Sequence, residues 1–112
     1  TNTTIKRKLA FTKNIDSLEG GASGKVLFPE ANKTLKYLKK YAKDKIDIIG
    51  VGGVNSSDTL LRKISLGANA IQLYTALVYQ GIGLIEEILL DLIKKQEKSG
   101  NKKISALIGK ND

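Results

Sequence analysis

The chemistry that can be read from this sequence sits first at two pairs of residues. Gly52 and Gly53 end an apolar run, IIGV, and Tyr74 and Thr75 end a second one, AIQLY, just before a short helical stretch, TALVYQ. Backbone N–H groups in a glycine turn and at a helix start lack regular acceptors, so donors at the two strand ends can converge on one anion. Two glycines after a strand also arise for steric reasons alone. A phosphate site and a plain turn are therefore both open on spacing. A third group of residues, TNTT at Thr1 to Thr4, offers a carboxamide and three hydroxyls, which can donate to and accept from a planar polar heterocycle such as a pyrimidine. A structural turn would use the same residues. The chain has no cysteine and no histidine, which excludes disulfides, thiolate nucleophiles, Cys/His zinc sites and imidazole acid–base chemistry from this segment.

The elements that must hold these residues follow from periodicity. The runs Ile46 to Val51 and Ala70 to Tyr74 lack the alternation of half-exposed strands, so they are expected to lie buried on both faces of a parallel sheet. The first ends at the glycine pair, because two glycines cost too much inside a strand. Ser56, Ser57 and Asp58 supply capping chemistry for the helix between the runs, whose inward face holds Leu60, Leu61 and Ile64, and Gly67 closes it. The strands are thus parallel, joined by a crossover of the usual right hand. In such sheets ligands collect at the carboxyl ends of the strands, and in a (β/α)8 barrel the loops after the last two strands often hold a phosphate.

Before this unit, apolar positions 31, 35, 38 and 42 mark one face of a helix from Ala31 to Lys43, with Pro29 suited to its first turn. Residues 1–29 carry little periodicity. They read as a strand end and a long loop whose glycines, at 20, 21 and 24, permit close approach of a ligand to the backbone. A flexible linker is the other reading of that stretch. After Gly81 and Gly83 the firmest helix runs from about Leu84 to Lys98, with an inward stripe of Ile85, Ile88, Leu89, Leu92 and Ile93. Its early acidic and late basic residues match the helix dipole, and Asp91 and Lys95 form an i, i+4 pair. A short amphipathic ISALIG follows.

The formal charge of +8 raises nucleic acid as a partner. The distribution argues against it: every basic residue except Arg7 and Arg62 is a lysine, lacking the bidentate fork, and most, such as Lys33, Lys36, Lys39, Lys40 and Lys43, fall on outer helix faces. No apolar run approaches the roughly 20 residues of a membrane span. The length of 112 residues suits one small domain, whereas a closed parallel barrel takes about 250. The amino terminus is accordingly expected to be a cut edge.

Taken together, TNTT, GGASGKVLF, IIGVGGVNSSDTLLRKISLGANAIQLYTALVYQGIGL and ISALIG resemble the carboxyl-terminal part of class 2, quinone-linked dihydroorotate dehydrogenase. The resemblance covers essentially the whole chain, least well between Ile5 and Glu19. It implies an α/β fold, the last three or so βα units of a (β/α)8 barrel, as a single segment: strand end and loop over residues 1–29, then helix six through strand and helix eight and a tail over residues 30–112. It implies FMN as cofactor, with Thr1, Gly24, Gly53, Tyr74 and Thr75 as its ligands, and Asn2 and Thr3 as ligands of dihydroorotate or orotate. The family's catalytic serine base, its flavin-contacting lysine and its quinone-admitting helical extension lie upstream of this segment. None of Ser17, Ser23, Ser56, Ser57, Ser65, Ser99 or Ser105 matches the motif of that base, so the segment alone is expected to be catalytically incomplete. The resemblance also implies a place at the surface of the bacterial cytoplasmic or mitochondrial inner membrane, and no nucleic-acid partner. Ala22, Val26, Asp47 and Ile82 depart from the usual pattern, three of them where proline is frequent, which bears on backbone rigidity. Two other readings are a sugar-phosphate barrel enzyme without flavin and a non-catalytic anion- or nucleic-acid-binding module. A flavin spectrum separates the first and salt-dependent nucleic-acid affinity the second.

Overall fold

The computed structural model describes residues 3–5, 19–43, 45–100 and 103–110. Helix α1 spans Phe28–Ala42, strand β1 Ile49–Val51, helix α2 Ser57–Ser65, strand β2 Ala70–Gln72, helix α3 Thr75–Gln80 and helix α4 Gly83–Lys98. Short 3-10 turns precede α1 at Gly24–Leu27 and follow α4 at Ile104–Leu107. The strands pair in parallel, Ile49 opposite Ala70, Gly50 opposite Ile71 and Val51 opposite Gln72, as the strand, helix, strand pattern requires.

Helix α1 starts three residues earlier than periodicity placed it, because the 3-10 turn runs straight into Phe28 and Pro29 occupies the first turn, where its missing N–H costs nothing. It stops at Lys43, whose φ of 51° leaves the helical region. Helix α2 is capped as expected. The Ser56 hydroxyl accepts from the Thr59 amide while the Thr59 hydroxyl accepts from the Ser56 amide, a closed reciprocal cap.

Two apolar clusters form. Leu35, Ile48, Leu66 and Ala68 join α1 to the sheet, with Ala42 and Ile71 at the margin. Leu84, Ile88 and Leu92 of α4 form the other, against Leu60 and Leu61 of α2, Ala76 and Leu77 of α3 and Ile104 of the tail. Each fully buried aliphatic side chain contributes about 1.5–3 kcal/mol, so truncating Leu35 or Ile88 would cost about 2–5 kcal/mol.

The structure corrects three expectations. Strand β1 begins at Ile49 and not at Ile46, because residues 45 and 46 bend away and leave Ile46 exposed; β2 likewise stops at Gln72, short of Tyr74. The sheet is covered on one face only: Ile49, Ala70 and Gln72 point away from the helices and are exposed. The inward stripe of α4 is narrower than five residues, since Leu84, Ile88 and Leu92 are buried while Ile85, Leu89 and Ile93 are exposed, as is Leu38 on α1. Among the described residues α4 meets α2, α3 and the tail along one stripe, and a spacing of four residues suffices to fill it.

Candidate functional site

A cavity of about 900 Å³ opens at the carboxyl ends of β1 and β2. Its volume lies within the roughly 300–1,000 Å³ typical of small-molecule sites. The walls are Thr3, residues 22–27, residues 51–55 and residues 73–76 with 78–80. Four segments separated in sequence therefore meet around one space.

The local backbone explains why they can. The ladder ends at Val51, and Gly52 and Gly53 then turn sharply with φ of +97° and +75°, a region costly for residues with a Cβ. The turn packs tightly from behind. A Cβ at Gly53 would lie 2.5 Å from the Phe28 Cβ and 2.8 Å from its backbone nitrogen, and one at Gly52 would lie 2.9 Å from the Ala31 Cβ. The glycine pair thus lets the loop after β1 lie directly on the first turn of α1. Across the cavity, a Cβ at Gly24 would be 3.0 Å from the Thr75 Cγ2, and the Thr75 hydroxyl donates to the Ser23 hydroxyl at 3.0 Å. The entry segment is held by a two-way backbone bridge, Thr4 N–H to Ala22 carbonyl at 3.0 Å and Ala22 N–H to Thr4 carbonyl at 2.8 Å.

Of the expected ligand residues, Thr3, Gly24, Gly53, Tyr74 and Thr75 all line this cavity. Thr1 and Asn2 lie outside the described residues. Gly24 and Thr75 each begin a helical turn, so their amides have no intrahelical acceptor. Helix α3 has only six residues and its contribution is local N–H and hydroxyl donors, not a long macrodipole. Lys25 is the one charged side chain among the lining residues, giving the site a positive sign. The donors, the hydroxyl pair and this cation make a surface chemically suited to an oxyanion.

Two polar features escaped sequence reading. Ser57 is buried and bonds the Asp91 carboxylate, while the Lys95 ammonium lies 2.6 Å from the Ser57 hydroxyl, 2.6 Å from Asp58 and 2.7 Å from Asp91. Hydrogen bonding to Asp58 and Asp91 raises the Lys95 pKa, and bonding to Lys95 and Ser57 lowers that of Asp91, so both stay charged. The cluster ties the start of α2 to α4, and a lysine held protonated cannot serve there as a base. Only the Asp91–Lys95 half of it was visible, as an i, i+4 spacing. The second feature is Lys63, fully buried, with its ammonium 2.9 Å from the Asn32 carboxamide oxygen and 5.1 Å from the Phe28 ring centre. Burial pushes its pKa down to about 8. Its place three residues after Leu60 on the inward face of α2 was the available signal.

The sequence model described as dihydroorotate dehydrogenase matches residues 1–95. The chain belongs to the dihydroorotate dehydrogenase family. It is 40% identical over 116 aligned residues to the dihydroorotate dehydrogenase (quinone) of Trichodesmium erythraeum, covering 97% of this chain and 31% of that one. The mitochondrial dihydroorotate dehydrogenase (quinone) of Arabidopsis thaliana is 40% identical across 96% of this chain and 24% of its own length. Among solved structures, ligand-free DHODH from Eimeria tenella superposes with a TM-score of 0.87 at 26% identity, over 98% of this chain and 31% of that one. The chain spans less than a third of the length of each of these dihydroorotate dehydrogenases.

Proposed function

We propose that this chain is the carboxyl-terminal part, about three βα units, of a (β/α)8 flavoenzyme that oxidises dihydroorotate to orotate with quinone as electron acceptor, in pyrimidine synthesis. The carrying observation is the meeting of Thr3, Gly24, Gly53, Tyr74 and Thr75 around one cavity at the strand ends. The site fits the phosphate end of FMN: its glycine turn, seated on α1, brings backbone to the cavity wall, the amides of Gly24 and Thr75 are unengaged by their own helices, and the lining cation is Lys25. FMN, when bound, supplies the acceptor of the substrate hydride and the donor of electrons to quinone.

The chain's own residues bind and orient. Gly24, Gly53, Tyr74 and Thr75 hold the phosphate and its neighbourhood, with Thr75 fixed by its bond to Ser23. Thr1 contacts the flavin. Asn2 and Thr3 pair with the polar edge of dihydroorotate, and Thr3 is positioned for this by the bridge between its neighbour Thr4 and Ala22. By the family resemblance, proton removal would fall to a serine upstream of this segment, and quinone would be admitted by that upstream part, at a membrane surface. Among the described residues no helix is long and apolar enough to cross a membrane.

The test is the absorbance spectrum and dihydroorotate-dependent quinone reduction of the full-length enzyme. A stoichiometric flavin spectrum with FMN released on denaturation is expected. A purified, folded enzyme that holds no flavin would overturn the proposal in favour of a sugar-phosphate enzyme.

A further inference from the structure

Lys63 is a fully buried cation without a carboxylate among its described contacts. Taking an ammonium out of water is expensive, and such a group adds little to stability even when partnered. What it does add here is geometry. Its stem leaves α2 and passes beneath β1 at Gly50, where a Cβ would lie 3.2 Å from the Lys63 Cδ and 2.9 Å from the Ala68 Cβ. The missing side chain of Gly50 is what lets the lysine through. On the far side the ammonium meets two residues of the first turns of α1: it donates to Asn32 at 2.9 Å and lies over the Phe28 ring at 5.1 Å. Phe28 is the residue against which the Gly53 backbone is pressed, and it follows directly on the 3-10 turn that forms the opposite wall of the cavity.

We infer that Lys63 is a positioning residue for the phosphate cradle: by pinning Phe28 and Asn32 to α2 under β1, it sets the spacing between the 24–27 wall and the Gly52-Gly53 turn. A hydrogen bond to an amide and a cation on a ring face are directional, whereas an apolar chain of the same length would fill the space without fixing the register of α1. The inference rests on the proposed flavin site.

The experiment compares wild type, Lys63→Met and Asn32→Ala in the full-length enzyme, measuring melting temperature of the flavin-free protein and the dissociation constants of FMN and riboflavin. Lys63→Met is expected to melt at or above wild type, because replacing a buried charge by an apolar chain of similar volume is often neutral or stabilising. It is expected to weaken FMN about tenfold, equivalent to about 1.4 kcal/mol, while riboflavin affinity stays within about twofold. Asn32→Ala, which removes the directional bond and leaves the cation, is expected to weaken FMN in the same selective way if Lys63→Met does not fold. Unchanged FMN affinity in folded Lys63→Met or Asn32→Ala overturns the inference. So does an equal loss of FMN and riboflavin accompanied by a lower melting temperature, which is a packing defect. A wild type without flavin sinks the proposed function itself, a result distinct from a wild type that binds FMN and a Lys63→Met variant that does so equally well.

Discussion

Valine at Gly53 tests the cradle most directly, and the structure changes how its effect arises. A branched side chain placed beside a bound anion would act by crowding it. The Gly53 Cβ position, however, is directed at α1: it would lie 2.5 Å from the Phe28 Cβ and 2.8 Å from both the Phe28 nitrogen and Cα, where carbon contacts favour about 3.5–4.0 Å. Relief requires the turn and α1 to separate by about 1 Å, and the left-handed φ of +75° adds about 1–2 kcal/mol for any L side chain. Hydrogen bonds to an oxyanion span about 2.7–2.9 Å, so a shift of this size breaks at least one of them, and bonds to charged groups contribute about 1.5–3 kcal/mol. The FMN dissociation constant should rise at least tenfold in a full-length enzyme. The flavin-free protein should also melt several degrees lower. Flavin per protein after gel filtration and fluorescence titration with FMN measure the first, and thermal melts the second. Because the Cβ itself makes the collision, Gly53→Ala should reproduce most of the loss. Wild-type flavin content in Gly53→Val would refute the placement of the phosphate. A harmless alanine beside a damaging valine would show that the side chain meets the ligand and not Phe28.

The proposed substrate role of Asn2, the burial of Lys63 and the exposed apolar side chains each carry a further expected outcome. Asn2→Ala in a full-length enzyme should lower dihydroorotate turnover by one to two orders of magnitude, from about 1–3 kcal/mol of unpaired polar edge, with flavin occupancy near normal; unaltered orotate affinity would remove Asn2 from the substrate site. The Lys63 pKa, lowered to about 8 by burial, means that between about pH 8 and 10.5 the unfolded chain binds more protons than the folded one, so stability should rise with pH across that window. Lys63→Met should abolish that rise in denaturant melts, and a rise that persists would place its origin elsewhere. The isolated 112-residue chain leaves Ile49, Tyr74, Val78, Tyr79 and Ile82 exposed, and should self-associate or stay molten; a monodisperse monomer with a sharp cooperative melt would contradict this.

The parallel unit and the glycine turn at its strand end were legible because they depend on local signals: the glycine pair that stops β1, the Ser56 cap and the closing Gly67 are read one residue at a time. Gly24 and Thr75 were legible as candidates but not as neighbours, since nothing in periodicity says that the 24–27 turn folds back onto the second strand end. Lys63 was obscured for a different reason. Hydropathy assigns lysine to water, and its burial depends on the space left by Gly50 on another element and on an acceptor supplied by Asn32 on a third. The exposure of Ile85, Leu89 and Ile93 was likewise hidden, because amphipathic spacing reports that a face is apolar and not whether a neighbour is there to cover it.

The second apolar cluster has a consequence for the order in which the molecule can be assembled during synthesis. Leu60, Leu61, Ala76 and Leu77 find their apolar partners in Leu84, Ile88, Leu92 and Ile104, and the Gly109 amide donates to the Ile64 carbonyl at 3.1 Å. These partners are made after every residue that lines the cavity. A nascent chain folding from its amino-terminal side therefore carries the described cavity residues before α4 is there to back α3, which until then has its contacts to Ser23 and Gly24 across the cavity. A ribosome stalled just beyond Gln80 would present every described lining residue of the cavity while the α4 side of this cluster was still missing.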